Sequence, residues 1–282
     1  MCRHLAYLGP PATLRSVIID PPHGLYKQAW SPRYQRPGAI NADGFGVGWY
    51  PAGAEVPVRY RQAVPIWTDE SFYEISAVAS AGAILGAVRN ATPRTSHGPA
   101  AAAPFRQDRW LFSHNGAVNG WPESTAALAA TLPALSLLKL EARVDSALMW
   151  ALVLHRLREG LTPAEALADT AEALHAAGVT GRFNFLLTDG RMIAATTAGH
   201  TLYYRRAPDS VTIASEPGDD EPGWIEIPRD GSLVTATPEQ VIVTRLPALN
   251  SIIAGTTTAH ETPEVPDSPE CSGTPDGRIT VP

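Results

Sequence analysis

A cysteine follows the initiator methionine, and loss of Met1 would make Cys2 the first residue, with its thiol and α-amine on one carbon framework. A free α-amine titrates at about 7.7 to 8.0, so it can serve as a general base near neutral pH without a histidine. Covalent cleavage of a carboxamide needs a nucleophile, a base and donors for the developing oxyanion. Cys2 offers the first two. Asn115-Gly116, at the end of the apolar run 110–113 and directly after His114, offers the third. An Asn side-chain amide and a neighbouring N–H can point at one oxygen, and glycine lets that backbone come close. Arg89 ends the apolar run 83–88, with Thr92 three residues on, and suits a bidentate clamp on a carboxylate. Asp145 can hold an ammonium. Each residue also has an ordinary reading. Cys2 can be a small residue opening a strand, and Asn-Gly is the commonest hairpin signal. Arg89 can sit in a surface ion pair, and Asp145 can be a helix cap or first-turn acid. His4 and His114 flank the set as packing or orienting residues rather than bases.

Composition bounds what such a site can serve. The chain has 282 residues, 44% hydrophobic and 18% charged, enough for one large core. Its net charge of −6 argues against nucleic acid or an anionic membrane as partner. No apolar run reaches the length of a membrane span, and no charged segment with an apolar stretch opens the chain. Two cysteines, Cys2 and Cys271, give no disulfide framework, which points to a reducing cytoplasm. The histidines are scattered without ligand spacing, so neither a metal nor another cofactor is expected. The oligomeric state is left open.

The elements that must position these residues read as follows. A strand covers residues 3–8, and residues 9–41 are broken by prolines into a long loop with one short helix. The glycine-rich stretch 41–50 is a strand rather than a phosphate loop, because no helix follows its glycines. Its glycines allow another backbone or a ligand to pack closely. Residues 56–61 form a strand, and 69–81 a helix capped by Thr68 with Phe72, Ile75, Val78 and Ala79 on its inner face. Helices follow at 145–159, apolar nearly all round, and at 163–177, opened by the capping box Thr162-Pro163-Ala164-Glu165. Short strands then return at 183–187, 192–196, 201–205, 211–214, 233–235 and 241–243. Strands, two helices and strands again describe an α+β fold with a sheet-on-sheet core under helical layers. From residue 250 the composition turns to Thr, Pro, Ser, Gly and acids, so 1–249 is the domain and 250–282 a disordered tail.

Taken together and in order, Met1-Cys2, Asp43-Gly44-Phe45-Gly46, Arg89 with Thr92, Pro104-Phe105, His114-Asn115-Gly116 and Asp145-Ser146 resemble the class II glutamine amidotransferases of the N-terminal-nucleophile hydrolase superfamily. Asp20-Pro21-Pro22-His23, residues 41–50, Pro65-Ile66-Trp67, Gly120-Trp121-Pro122 and Ala214-Ser215-Glu216-Pro217 with Asp219-Asp220 narrow the resemblance. They point to the members that hydrolyse a γ-glutamyl sulfoxide conjugate in ergothioneine biosynthesis. The resemblance spans residues 1 to about 246. It implies an αββα sandwich of two mainly antiparallel sheets and a cofactor-independent hydrolase of a small γ-glutamyl substrate. Cys2 would be the nucleophile with its own amine as base, and Asn115 with the Gly116 N–H the oxyanion hole. Arg89, with Thr92, would hold the glutamyl carboxylate and Asp145 its ammonium, with His114 beside them. Ala102-Ala103 stands where many members carry polar residues before Pro-Phe, and the 92–99 loop also departs from the pattern. For the quaternary ammonium of such a conjugate, Trp30, Trp49, Tyr50 and Trp224 are the aromatic candidates.

Overall fold

Period-two alternation along the first strand sets the layers of the molecule. In β1 (Arg3–Thr13), Leu5 and Tyr7 pack on one side, while Ala6 and Leu8 pack on the other. The computed structural model describes residues 2–35, 40–91 and 95–254. After β1 come two short helices, α1 (Leu14–Ile18) and α2 (Leu25–Gln28), then the strands β2 (Phe45–Trp49) and β3 (Val58–Gln62). Helix α3 (Glu70–Val78) leads into β4 (Ser80–Val88), followed by β5 (Phe105–Gln107) and β6 (Trp110–Val118). Four helices follow: α4 (Ala126–Ala130), α5 (Ala134–Leu138), α6 (Asp145–Arg158) and α7 (Pro163–Ala176). The second half is β7 (Gly181–Thr188), β8 (Ile193–Ala198), β9 (Tyr203–Arg206), β10 (Val211–Ala214), β11 (Ile225–Glu226), β12 (Asp230–Ala236) and β13 (Val241–Arg245). Helix α8 (Pro247–Ala254) ends the described chain.

These strands make two antiparallel sheets, ordered β11-β9-β10-β1-β4-β2-β3 and β13-β12-β8-β7-β6-β5. Helices α1 to α3 pack on the outer face of the first, and α6 to α8 on the outer face of the second. Three apolar clusters fill the three interfaces of this αββα sandwich. One lies between the sheets around Ala6, Leu85, Leu186 and Ile213. The others lie beneath the helices, around Leu14, Phe45 and Phe72 on one side and Phe112, Leu148 and Phe183 on the other. No helix among the described residues is long and apolar enough to cross a membrane.

The two expected helices form at 145–158 and 163–176, the second with its capping box complete between Thr162 and Glu165. The expected close approach of a backbone at the glycine strand is present: a Cβ on Gly46 would lie 2.4 Å from the Ala103 carbonyl. Several expectations need correction. The long loop after residue 9 is instead the continuation of β1 through a register shift between Leu8 and Ala12, then α1 and α2. Helix α3 is capped by Asp69, whose Oδ1 accepts the Phe72 N–H at 2.9 Å, rather than by Thr68. It stops at Val78, which is 82% exposed, so only the Phe72 edge of the expected face is inward. Helix α8 runs past residue 249 and buries Leu249 and Ile252, so residues 250–254 belong to the fold. The rest of the expected tail, with Cys271, lies outside the described residues.

Candidate active site

The site forms where β1, β4 and β6 meet. Arg3 pairs with Val88, so Cys2 lies beside the segment that leaves β4 and carries Arg89. Cys2 is a half-buried free thiol, with Sγ 3.9 Å from the Asn90 carbonyl. The start of the chain is pinned. Arg3, 1% exposed, donates from Nε to Glu216 at 2.8 Å and from Nη1 to the Cys2 carbonyl at 3.1 Å. His4 exchanges backbone bonds with Ser215, donating to its Oγ and accepting from its N–H.

Asn115 and Gly116 sit inside β6, opposite Asn184 and Phe183, so the strand runs on past the point where a hairpin was the alternative. Asn115 is fully buried, and its Nδ2 donates one hydrogen to Ser215 Oγ at 3.3 Å, which fixes the amide plane and leaves the second hydrogen free. Strand N–H groups alternate in direction. The Val118 N–H points away from β7, to Asp145 Oδ2 at 3.0 Å. The Gly116 N–H, two residues back, therefore faces the same edge. That edge is open, because β5 pairs only with residues 110–112. The glycine is required by space: a Cβ there would lie 1.8 Å from the Arg182 carbonyl and 2.4 Å from His114 Nε2.

Arg89 is 8% exposed and donates from Nη2 to Thr95 Oγ1 and the Ser96 carbonyl, while Nη1 has no partner among the described residues. A buried guanidinium with an unused arm is built to meet an anion. Asp145, 5% exposed, opens α6 and accepts from the N–H groups of Val118 and Ser146. These bonds leave lone pairs of its carboxylate unused. Thr92 lies outside the described residues. Both ring nitrogens of His114, expected beside the substrate charges, have partners within the protein. Its Nε2 donates to the Arg182 carbonyl at 2.8 Å, its Nδ1 accepts from Ser146 Oγ at 3.1 Å, and its ring packs against Phe183 and Phe185. It orients its neighbours.

Of the aromatic set, Trp30, Trp49 and Trp224 pack against the cluster beneath α1 to α3, and Tyr50 belongs to the cluster between the sheets. Trp49 stands opposite Ile84, at the far end of β2 from Phe45 and Val88. The Tyr50 hydroxyl lies within reach of the Arg109 and Thr188 carbonyls. Trp30 packs edge-on against Tyr26 and Trp67, and Trp224 is covered by the Arg205 guanidinium.

Other residues do work that single-position reasoning missed. Asp43 and Gly44 hold the Arg89 segment at three points: Asp43 Oδ2 accepts the Ala91 N–H, the Asp43 N–H donates to the Arg89 carbonyl, and the Gly44 carbonyl accepts the Arg89 N–H. Ser96 joins this segment to the approach to Asp145, exchanging bonds with the Arg143 backbone. Asp43, Ser215 and Glu216 fall in stretches that carry the family resemblance. Ser96 has no sequence signal, because only tertiary pairing gives it a role.

The model for class-II glutamine amidotransferases matches residues 28–216. The chain belongs to this family. Among similar class-II proteins, the gamma-glutamyl-hercynylcysteine sulfoxide hydrolase of Mycolicibacterium smegmatis is 40% identical over 247 residues, 87% of this chain and 100% of that protein. The hydrolase of that name from Mycobacterium tuberculosis is 39% identical over 246 residues, 87% of this chain and 97% of its own. A glutamine aminotransferase class-II domain protein from Silicibacter pomeroyi superposes with a TM-score of 0.65 at 23% identity, over 87% of this chain and 98% of that one, which shows the shared fold.

Three histidines in and beside this class-II site are held neutral. Burial pulls His4 down to about 3, helped by the charges of His114 and Arg3. Burial also lowers His114, and lowers His200 well below its usual value, with Arg182 and Arg3 adding to the latter. An unfolded histidine binds a proton below about 6.5, whereas folded His4 does not until far lower pH. The unfolded state therefore holds more protons in that window, and stability falls as pH drops through it. Urea unfolding below about pH 6.5 should show a loss of about 1.4 kcal/mol per pH unit from His4, with His114 and His200 acting in the same direction. His4→Gln should flatten the slope, and a flat wild-type profile would contradict this account.

Proposed function

We propose that the chain hydrolyses the γ-glutamyl amide of γ-glutamyl-hercynylcysteine sulfoxide, releasing glutamate and hercynylcysteine sulfoxide. The observation that carries this reading is the 40% identity over the whole length of a hydrolase of that name. The arrangement around Cys2 supports the chemistry. With Met1 removed, the α-amine of Cys2 takes the thiol proton and Sγ attacks the γ-carbonyl carbon. The second Asn115 Nδ2 hydrogen and the Gly116 N–H receive the oxyanion. The protonated amine then gives its proton to the departing nitrogen of the cysteine moiety, leaving a glutamyl thioester. Water, deprotonated by the same amine, attacks that thioester through a second oxyanion, and glutamate leaves as the thiol is restored. Arg89 grips the glutamyl α-carboxylate and Asp145 its α-ammonium, which fixes the γ-carbonyl over Sγ. Thr92 remains a proposed contact beside Arg89. The chemistry calls for no cofactor, and a free nucleophilic thiol supports a reducing compartment, the cytoplasm.

The deciding measurement compares kcat/KM for the sulfoxide conjugate with that for glutamine. The conjugate should be preferred by at least about a hundredfold, the effect of losing binding energy that the glutamyl half cannot supply. Equal values would favour a glutaminase that feeds a separate synthase, and no turnover of either would leave a binder of γ-glutamyl metabolites. An uncleavable N-terminal extension should abolish glutamate release without lowering the melting temperature, because it converts the base into a peptide nitrogen. Full activity in the extended protein would overturn the N-terminal-nucleophile mechanism. Arg89→Lys keeps the charge but loses the fork, and kcat/KM should drop about ten- to hundredfold, the worth of one charge-assisted hydrogen bond. Unchanged steady-state kinetics would remove Arg89 from the clamp.

A further inference from the structure

The row of side chains that carries Asn115 also carries a cation. Alternation along β7 puts Phe183, Phe185 and Leu187 under the helices and Leu186 between the sheets. Arg182 and Asn184 share the face of Leu186. Across the ladder Asn184 stands opposite Asn115 and Arg182 opposite Ala117, so Arg182 is the diagonal neighbour of Asn115 on one face. Diagonal neighbours lie about 7 to 8 Å apart, within reach of a long side chain. Strand β1 runs in step with this row from the other sheet. Ala6 and Leu186 share the cluster between the sheets, and His4 meets Ser113. Cys2, two residues before His4 and on its face, comes level with Asn115 and Asn184, with Arg182 one step further out along the same row.

Arg182 is held in place while its charge stays unspent. Its stem lies along the turn after β8, where a Cβ at Gly199 would come within 2.8 Å of Arg182 Cγ. Asn184 holds that turn, accepting the Ala198 and His200 N–H groups and donating to the His200 carbonyl. The Arg182 carbonyl is fixed by His114 Nε2. Its Nε is sealed within the protein, so the guanidinium presents its two terminal nitrogens. Arg182 is half-buried, and among the described residues those nitrogens make no hydrogen bond or ion pair. Burial presses on its charged form, and Asp145 is the acid that sustains it. His200, on the same turn, is held neutral and brings no counter-charge. Asp145 reaches β6 at its open edge through Val118, whereas Arg182 stands on β7 at the other edge. The oxyanion donors lie between them.

Charge then separates two kinds of substrate. With Arg89 on the glutamyl carboxylate and Asp145 on its ammonium, Arg182 is the charge left over. Glutamine brings nothing to meet it, since its departing group is ammonia. In a cysteine conjugate, the carbon bonded to the departing nitrogen carries a carboxylate. Two terminal nitrogens side by side match the two oxygens of that group, whereas a sulfoxide presents a single oxygen. We propose, on the basis of the γ-glutamyl hydrolase reading, that Arg182 binds the carboxylate carried by the departing amine and so selects γ-glutamyl amino acids over glutamine. The glutamyl ammonium and the departing carboxylate then fall on opposite sides of the oxyanion donors, and the scissile carbonyl is held from both ends.

Binding to the full chain carrying Cys2→Ala tests this without requiring turnover. Calorimetric titrations compare γ-glutamyl-alanine with γ-glutamyl-ethylamide, the same amide without the carboxylate. γ-Glutamyl-alanine should bind about ten- to hundredfold more tightly, the worth of one charge-assisted hydrogen bond. Adding Arg182→Met should bring the two affinities together. Arg182→Lys should restore part of the gap, because it returns the charge without the fork. With Cys2 intact, Arg182→Met should lower kcat/KM for the sulfoxide conjugate by about ten- to hundredfold. Equal affinities in the Cys2→Ala parent, or a gap that survives Arg182→Met, would overturn the role of Arg182 and leave the γ-glutamyl site standing. A loss that falls equally on both amides would mark a structural role and overturn it as well. Binding of neither amide, nor of glutamine, would remove the γ-glutamyl reading itself and this subsite with it.

Discussion

The Arg3–Glu216 ion pair is the contact on which the rest of the site depends. Chain termini fray unless something ties them down, and the proposed nucleophile, Cys2, directly precedes β1. Both partners are about 1% exposed, so the pair gives up nearly all of its hydration. That is tolerable because other bonds complete it: the second Glu216 oxygen accepts the Arg33 N–H at 2.6 Å, and Arg3 also reaches the Cys2 carbonyl. Buried pairs of this kind are weak evidence for stability. Their value here lies in register. A slip of one residue along β1 would exchange the faces of the strand and send Arg3 into the space between the sheets.

Around that anchor, each proposed function is given to a rigid element and then braced from outside. The oxyanion donors lie in mid-strand on β6, the ammonium acceptor opens α6, and the carboxylate clamp leaves the end of β4. Asp43 fixes the departing segment by its backbone, and Ser96 ties that segment to the approach to α6. The segments that carry Arg89 and Asp145 are therefore joined through the protein. Arrangements of this kind supply catalysis by position, which suffers when a support moves by as little as an ångström.

Much of this was legible in the chain itself, for definite reasons. Cys2 and Arg89 stand at strand ends and Asp145 at a helix start, marked out by hydrophobic runs, and Asn115-Gly116 directly follow such a run within β6. Order along the chain then tied them to one family. The fold class followed from long periodic segments such as α6 and α7. Failures cluster where tertiary contacts override local signals. β1 continues through Gly9-Pro10-Pro11 because β4 pairs with it again at Ala12, after a register shift. Asp69 displaces Thr68 as the cap of α3 because its carboxylate, not the threonine hydroxyl, reaches the Phe72 N–H. Ser215 and Glu216 are ordinary in composition, and they gain their roles only when β10 lies alongside β1.

The crowding at Gly116 has an evolutionary consequence. The carbonyl of Arg182 and the ring of His114 fill the volume that any side chain would need, and their own hydrogen bond runs through it. That position is closed to mutation: any side chain there would part β6 from β7. Divergence in such a lineage has to proceed elsewhere, in the segments that meet the departing half of a substrate. The cutting machinery would then be inherited nearly unaltered while the range of amides it opens drifts freely around it.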